Sequence, residues 1–248
     1  MINDPTPAYA YAPPTEFSLG RVLSRTNDTF SRGALAFVAI SLIATLPSLA
    51  YQWATLSGFG GPRSVAIVQG LLNIVLQSLA EAMIIYGAFQ TMRGRTAQVG
   101  ASIARGFRRG GAILLASLLV GIATGIAWIL LVVPGLIVMT MLCVTIPAVV
   151  VEQLGATTAM GRSAELTKGY RWHIFGALFV VGLVTFVVEA IVVAVLAHPG
   201  TAWIFTLVTF CVTSVSAAYN SVLAAIMYHD LRVIKDGIDI DQLAAVFD

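Results

Sequence analysis

Apolar residues run along this chain in six long stretches, at about 33–52, 64–92, 111–133, 134–151, 173–197 and 200–229, separated by short polar ones. A helix of about 20 apolar residues crosses the hydrocarbon of a bilayer, so each stretch predicts a membrane span. The second and sixth are long enough to tilt or to reach into the interface. Spans three and four meet at "VVPG" (132–135), and spans five and six at "AHPG" (197–200). Those turns are tight enough to predict close hairpins. The fourth span is short and carries Pro147 near its end.

The polar stretches have a helical period of their own. In 17–33, Leu19, Val22, Leu23, Thr26 and Phe30 fall on one side of a helical wheel, and Arg21, Arg25, Asp28 and Arg32 on the other. In 97–110, Val99, Ile103 and Phe107 oppose Gln98, Ser102, Arg105 and Arg109, with Arg108 alongside. In 156–171, Ala159, Ser163, Leu166 and Tyr170 oppose Arg162, Glu165 and Lys168, with Arg171 at the end. Each segment closes on an aromatic and then an arginine: "FSRG" (30–33), "FRRG" (107–110) and "YRWH" (170–173). The pattern predicts three units, each a cytoplasmic amphipathic helix in the headgroup plane followed by a transmembrane hairpin. The units are 17–93, 97–153 and 156–235, flanked by a disordered tail (1–16) and an acidic C-terminal tail (236–248), which reads either as a short cytoplasmic helix at 239–247 or as a frayed end. Plain topology-setting loops would account for the cations alone; the amphipathic spacing repeated three times with a terminal aromatic favours a structured surface helix.

Polar residues also stripe the spans. Gln69, Asn73, Gln77 and Glu81 recur every four residues in span two, and Thr209, Thr213, Ser216 and Asn220 line span six. Glu189 is the ionisable group of span five. Such stripes face protein or water, because unsatisfied polar groups in hydrocarbon cost several kcal/mol. They read as a hydrophilic path, with Asn73, Gln77, Glu81, Glu189 and Asn220 as candidates, or as hydrogen bonds between helices. "GIATG" (121–125) reads as a close helix approach.

Composition fixes the class. Of 248 residues, 58% are hydrophobic and 10% charged, and mean hydropathy is +0.89. Soluble domains carry about 25% charged residues, so this chain is an all-α integral membrane protein. Six spans place every one of its 14 Lys and Arg on one side except Arg63, which predicts cytoplasmic termini by the positive-inside rule. Cys143 and Cys211 both sit in apolar runs, where buried small side chains are expected rather than a disulfide or metal site. The sequence has no P-loop, GxGxxG, GxSxG or HExxH pattern, and its three histidines are far apart. No catalytic residue, metal or cofactor is therefore predicted.

Two segments, "IPAVVVEQLGATTAMGRSAELTKGYRW" (146–172) and "YHDLRVIKDG" (228–237), resemble a bacterial inner-membrane family. It is labelled glycerophosphoryl diester phosphodiesterase membrane domain, with related small YciC-like proteins. The matching positions are Pro147, Glu152, Arg162–Ser163, Leu166 to Gly169, Trp172, Tyr228, Leu231–Arg232 and Gly237. The resemblance implies a six-span fold in a bacterial inner membrane. It implies no phosphodiesterase activity, because the membrane part occupies these 248 residues, and it carries over no catalytic residue. The expected function is non-enzymatic: binding or organising anionic lipid through Arg21, Arg25, Arg32, Arg105, Arg108, Arg109, Arg162, Lys168 and Arg171, as a scaffold or a membrane-shaping homo-oligomer. No nucleic-acid partner is expected. The alternatives are a transporter or lipid-handling permease using the polar path with Glu189, and an accessory subunit of a membrane enzyme.

Overall fold

The computed structural model describes residues 17–58, 63–93, 110–198 and 200–237. The tail at 1–16, the second predicted surface helix with Arg105, Arg108 and Arg109, and the C-terminal helix at 239–247 lie outside the described residues. Among those described there are eight helices and no strand: α1 (Leu19–Leu56), α2 (Arg63–Met92), α3 (Gly110–Leu130), α4 (Val132–Leu142), α5 (Thr145–Val151), α6 (Ala156–Thr167), α7 (Arg171–Leu196) and α8 (Ala202–Asp236). Six stretches, with α4 and α5 together forming one, are long and apolar enough to cross a membrane. The chain is a multi-pass membrane protein.

Two prolines set the breaks. A helical proline clashes with the carbonyl four residues earlier and lacks the N–H to bond it. For Pro134 that residue is Leu130, where α3 ends; for Pro147 it is Cys143, where α4 has ended and α5 has not begun. The fourth span, expected at 134–151, stands as one membrane-length stretch, Val132–Val151, but it is broken within, and Pro147 belongs to the first turn of α5. The free carbonyl of Met141, at the end of α4, accepts a hydrogen bond from Ser163 Oγ of α6 at 2.8 Å. That bond docks α6 against the break.

The first predicted surface helix is not a separate element. No break separates 17–33 from the span, and α1 is one helix of 38 residues. Its buried stripe, Val22, Thr26, Thr29, Gly33, Phe37 and Ile40, crosses the expected boundary at helical spacing without interruption. One face of the helix is therefore committed to the bundle from its first turn onward. α6 is a separate helix, with Ala156, Ala159, Ser163, Leu166 and Thr167 buried. It packs against α3, α4, α5 and α8.

α1 runs antiparallel to α2 and α8, as its cross-links show. Ser48 meets Asn73 of α2, and Thr45 meets Ser214 of α8 at 2.9 Å. Towards the helix start, Arg25 reaches Met92 and Asp230. At about 1.5 Å per residue α1 is about 57 Å long, nearly twice the hydrocarbon thickness of about 30 Å. With Tyr51 and Trp53 at the far interface, the first turns of α1 project beyond the hydrocarbon at the basic end. The buried core lies towards that end: Ala82–Phe89 of α2, Thr145–Val149 of α5, and Ser221–Leu231 of α8, buried on all sides. The far half is open, with Ile129 86% and Phe186 67% exposed. The physical reason is that apolar burial is favourable only where water is the alternative; lipid tails solvate Leu and Ile as well as other side chains do.

Candidate functional site

The polar stripe of α2 ends in empty space inside the bundle. Asn73, at its far part, accepts a hydrogen bond from Ser48. Glu81 lies eight residues further on, about 12 Å nearer the basic end. Three cavities meet along this stripe. The far one, about 460 Å³, lies between α1, α2 and α8 and includes Thr45, Gln52, Asn73, Gln77, Thr209 and Thr213. A second, about 520 Å³, lies between α2, α3, α4 and α7, with Gln77, Ser78, Glu81, Ser117 and Thr124 among apolar walls. The third, about 250 Å³, holds Gln77, Glu81, Cys143, Asn220 and Ser221 and ends at Met227. Gln77 borders all three and Glu81 two of them.

Among the described residues neither Gln77 nor Glu81 forms a hydrogen bond or ion pair. Buried Ser117 Oγ and Thr209 Oγ1, on the facing walls, also have no partner. The stripe is thus not used up by contacts between helices. Of the five sequence candidates, Asn73, Gln77, Glu81 and Asn220 border this cleft. Glu189 does not: it is half-buried on α7 and borders none of the three cavities. The place on the polar path expected of Glu189 is therefore corrected: it lies outside this cleft.

The basic end carries a second polar assembly. Glu152, just past α5, takes Arg162 Nε at 3.0 and 3.1 Å and the Tyr228 hydroxyl at 2.7 Å. Arg162 also bonds Asp236, and Arg232 donates to Tyr228 Oη at 3.1 Å. Burial alone would lower the Arg162 pKa, but the hydrogen bonds and charges of Glu152 and Asp236 outweigh it and push the guanidinium above its usual value. One layer away, Arg25 is ion-paired with Asp230 and lies 3.3 Å from His229 Nδ1. Asp230 and His229 are almost fully buried, at 2% and 1%.

The lipid-facing role expected for Arg25 and Arg162 is therefore corrected. Both side chains point into the protein and bind carboxylates. A helical wheel gives the face of a residue but not its partner: Asp230 lies 205 positions from Arg25, and Arg162 meets Glu152 10 positions away and Asp236 74 away. Arg32 pairs with Asp28 on the surface at 2.9 Å, Arg21 is half-buried, and Lys168 is exposed. Arg171 is half-buried, with its Nε unpartnered. Sequence reasoning missed Asp230 and Asp236 altogether. Glu152, Tyr228 and Arg232 were visible only as positions of a resemblance, which here coincide with the ion-pair assembly.

Residues 84–230 match the model of a family described as a domain of unknown function (DUF7847), and the chain belongs to that family. That match supports neither the phosphodiesterase nor the YciC-like label. No curated protein and no solved structure matches the chain.

Proposed function

We propose that this DUF7847 member binds and handles an amphiphile within a bacterial inner membrane, as a permease or lipid-handling protein rather than an enzyme. Its six spans would pair as three hairpins with both termini cytoplasmic, and the cleft along α2 would be the binding site. The observation that carries this reading is Glu81, a carboxyl at membrane depth with no protein partner, facing two cavities. Unpaired ionisable groups there are costly and mark ligand or ion paths. A merely structural carboxyl would be paired, as Glu152 and Asp230 are.

Hydrophilic thiol labelling in membranes tests the reading. In a Cys143→Ala, Cys211→Ala background, Gln77→Cys and Asn220→Cys should react with a charged methanethiosulfonate. Phe186→Cys, on the lipid face, should not. If the two cleft positions are as inert as Phe186→Cys, the reading fails.

A second reading rests on the turn between α6 and α7. Trp172 is 81% exposed beside exposed Lys168 and half-buried Arg171, and Lys235 lies over the Tyr170 ring at 5.8 Å. This basic and aromatic patch suits an anionic headgroup surface, at about 1 kcal/mol per cation. Lys168→Gln with Arg171→Gln should lower co-purifying anionic lipid; unchanged lipid content would exclude the patch.

A further inference from the structure

We propose that the cleft takes an amphiphile with a positively charged, hydrogen-bond-donating head, an alkylammonium, whose nitrogen sits on Glu81. This rests on the reading of the cleft as a binding site and adds the class of its ligand. Three observations point to that class.

The first is the sign of the lining. Glu81 is the charged residue of the two inner chambers, and its polar companions there, Gln77, Ser78, Asn220 and Ser221, are neutral. Among the described residues no Lys or Arg borders any of the three cavities. Arg25 and Arg162, at the basic end, are committed to Asp230, Glu152 and Asp236. A phosphate, sulfate or carboxylate head would lie beside Glu81 with no counter-ion. An ammonium head supplies the charge that Glu81 lacks, and its N–H groups can donate to Glu81 and to the side-chain carbonyls of Gln77 and Asn220.

The second is the division of space. The inner chamber of about 250 Å³ carries Glu81, Gln77 and Asn220 within a small volume, which suits a compact head. The adjoining chamber of about 520 Å³ shares Glu81 but is walled by Ile74, Val120, Met139, Leu142, Ile146 and Leu178. That volume lies in the range of small-molecule sites. Its apolar walls suit a hydrocarbon tail.

The third is access. The cleft adjoins the open, lipid-facing half of the bundle, while the buried basic end, with Tyr228 and Leu231 almost fully covered, closes its inner limit beyond Met227. A ligand would enter from the membrane, where amphiphiles concentrate.

The test uses the full chain in zwitterionic nanodiscs and three probes with one tail: dodecylammonium, dodecyl sulfate and dodecanol. The readout is protection of Asn220→Cys from the charged thiol reagent, with Lys168→Cys outside the cleft as control. Dodecylammonium should protect Asn220→Cys at concentrations on the order of 10- to 100-fold lower than the other two, as a charge-assisted hydrogen bond implies. It should leave Lys168→Cys untouched. Glu81→Gln should remove most of that preference, and Glu81→Asp should keep part of it. Should Asn220→Cys label yet show equal protection by all three probes, or a preference unchanged by Glu81→Gln, the ligand class is wrong while the cleft reading stands. Should Asn220→Cys and Gln77→Cys fail to label, the cleft reading itself falls, and this inference with it.

Discussion

Glu152 should hold the basic end together, and replacing it with Gln measures how much. Its carboxylate accepts from Arg162 and Tyr228, and Arg232 Nε stands 3.8 Å away. The Glu152 and Arg162 side chains are 14% and 18% exposed, so water screens them only in part. Breaking a buried pair costs about 3–5 kcal/mol. Two features reduce that here: Asp236 still faces both arginines, and the Gln carbonyl can still accept one hydrogen bond. The expected loss is about 2–3 kcal/mol, or about 5–10 °C in midpoint for a chain of this size. Thermal unfolding in mild detergent, followed by loss of the monodisperse peak, reads it. Glu152→Gln combined with Arg162→Gln should be less destabilising than the sum by about 1–2 kcal/mol. Glu165→Gln is the control, since that side chain is 71% exposed and surface pairs contribute little. A shift below about 2 °C for Glu152→Gln, or strict additivity in the cycle, would refute the reasoning.

Further outcomes follow from the same structure. Arg25→Met should destabilise by about 3 kcal/mol because buried Asp230 loses its cation; Arg25→Met with Asp230→Asn should recover part of this in the same assay. Gly169→Ala should destabilise the fold by more than about 1 kcal/mol, read as a lower midpoint in the same assay. Lys168 (φ −62, ψ 124) and Gly169 (φ 94) form a type II turn closed by Tyr170 N to Thr167 O at 3.1 Å, and its third position requires positive φ. Gly155→Ala, at φ −71 with open space around it, should be close to neutral. Ser163→Ala should cost up to about 1 kcal/mol by leaving the Met141 carbonyl only the longer bond from Thr167 Oγ1, at 3.4 Å, and faster hydrogen exchange at the break between α4 and α5 would report it.

The spans were legible because runs such as 173–197 have no other use than lipid, and α7 occupies Arg171–Leu196. The α4–α5 break was half legible: Pro147 marks it in the sequence, but the clash with the Cys143 carbonyl that ends α4 depends on the helix running through both. The first surface helix was misread because Arg21, Arg25 and Arg32 dominated the wheel. The apolar face through Val22 and Thr26 was visible, but its continuation through Thr29 and Gly33 to Phe37, which joins it to the span, rests on small side chains that a wheel drawn over 17–33 alone does not connect. In the cleft, Gln77 and Glu81 were found from their four-residue spacing. Whether they meet a neighbour or a void depends on helices far away in sequence, and so does the unhelpful position of Glu189. The pairing of Arg162 with Asp236 joins α6 to α8 and has no local signature.

The confinement of tight packing to one end has a mechanical corollary. A bundle knotted at its base and loose along its prongs behaves like a tuning fork: lateral pressure from the acyl chains sets how far the prongs stand apart, while the stem holds its shape. Bilayer thickness and chain order should then act first on the lipid-facing prongs α3 and α7, and least on α1, α2 and α8, which Ser48 with Asn73 and Thr45 with Ser214 tie together.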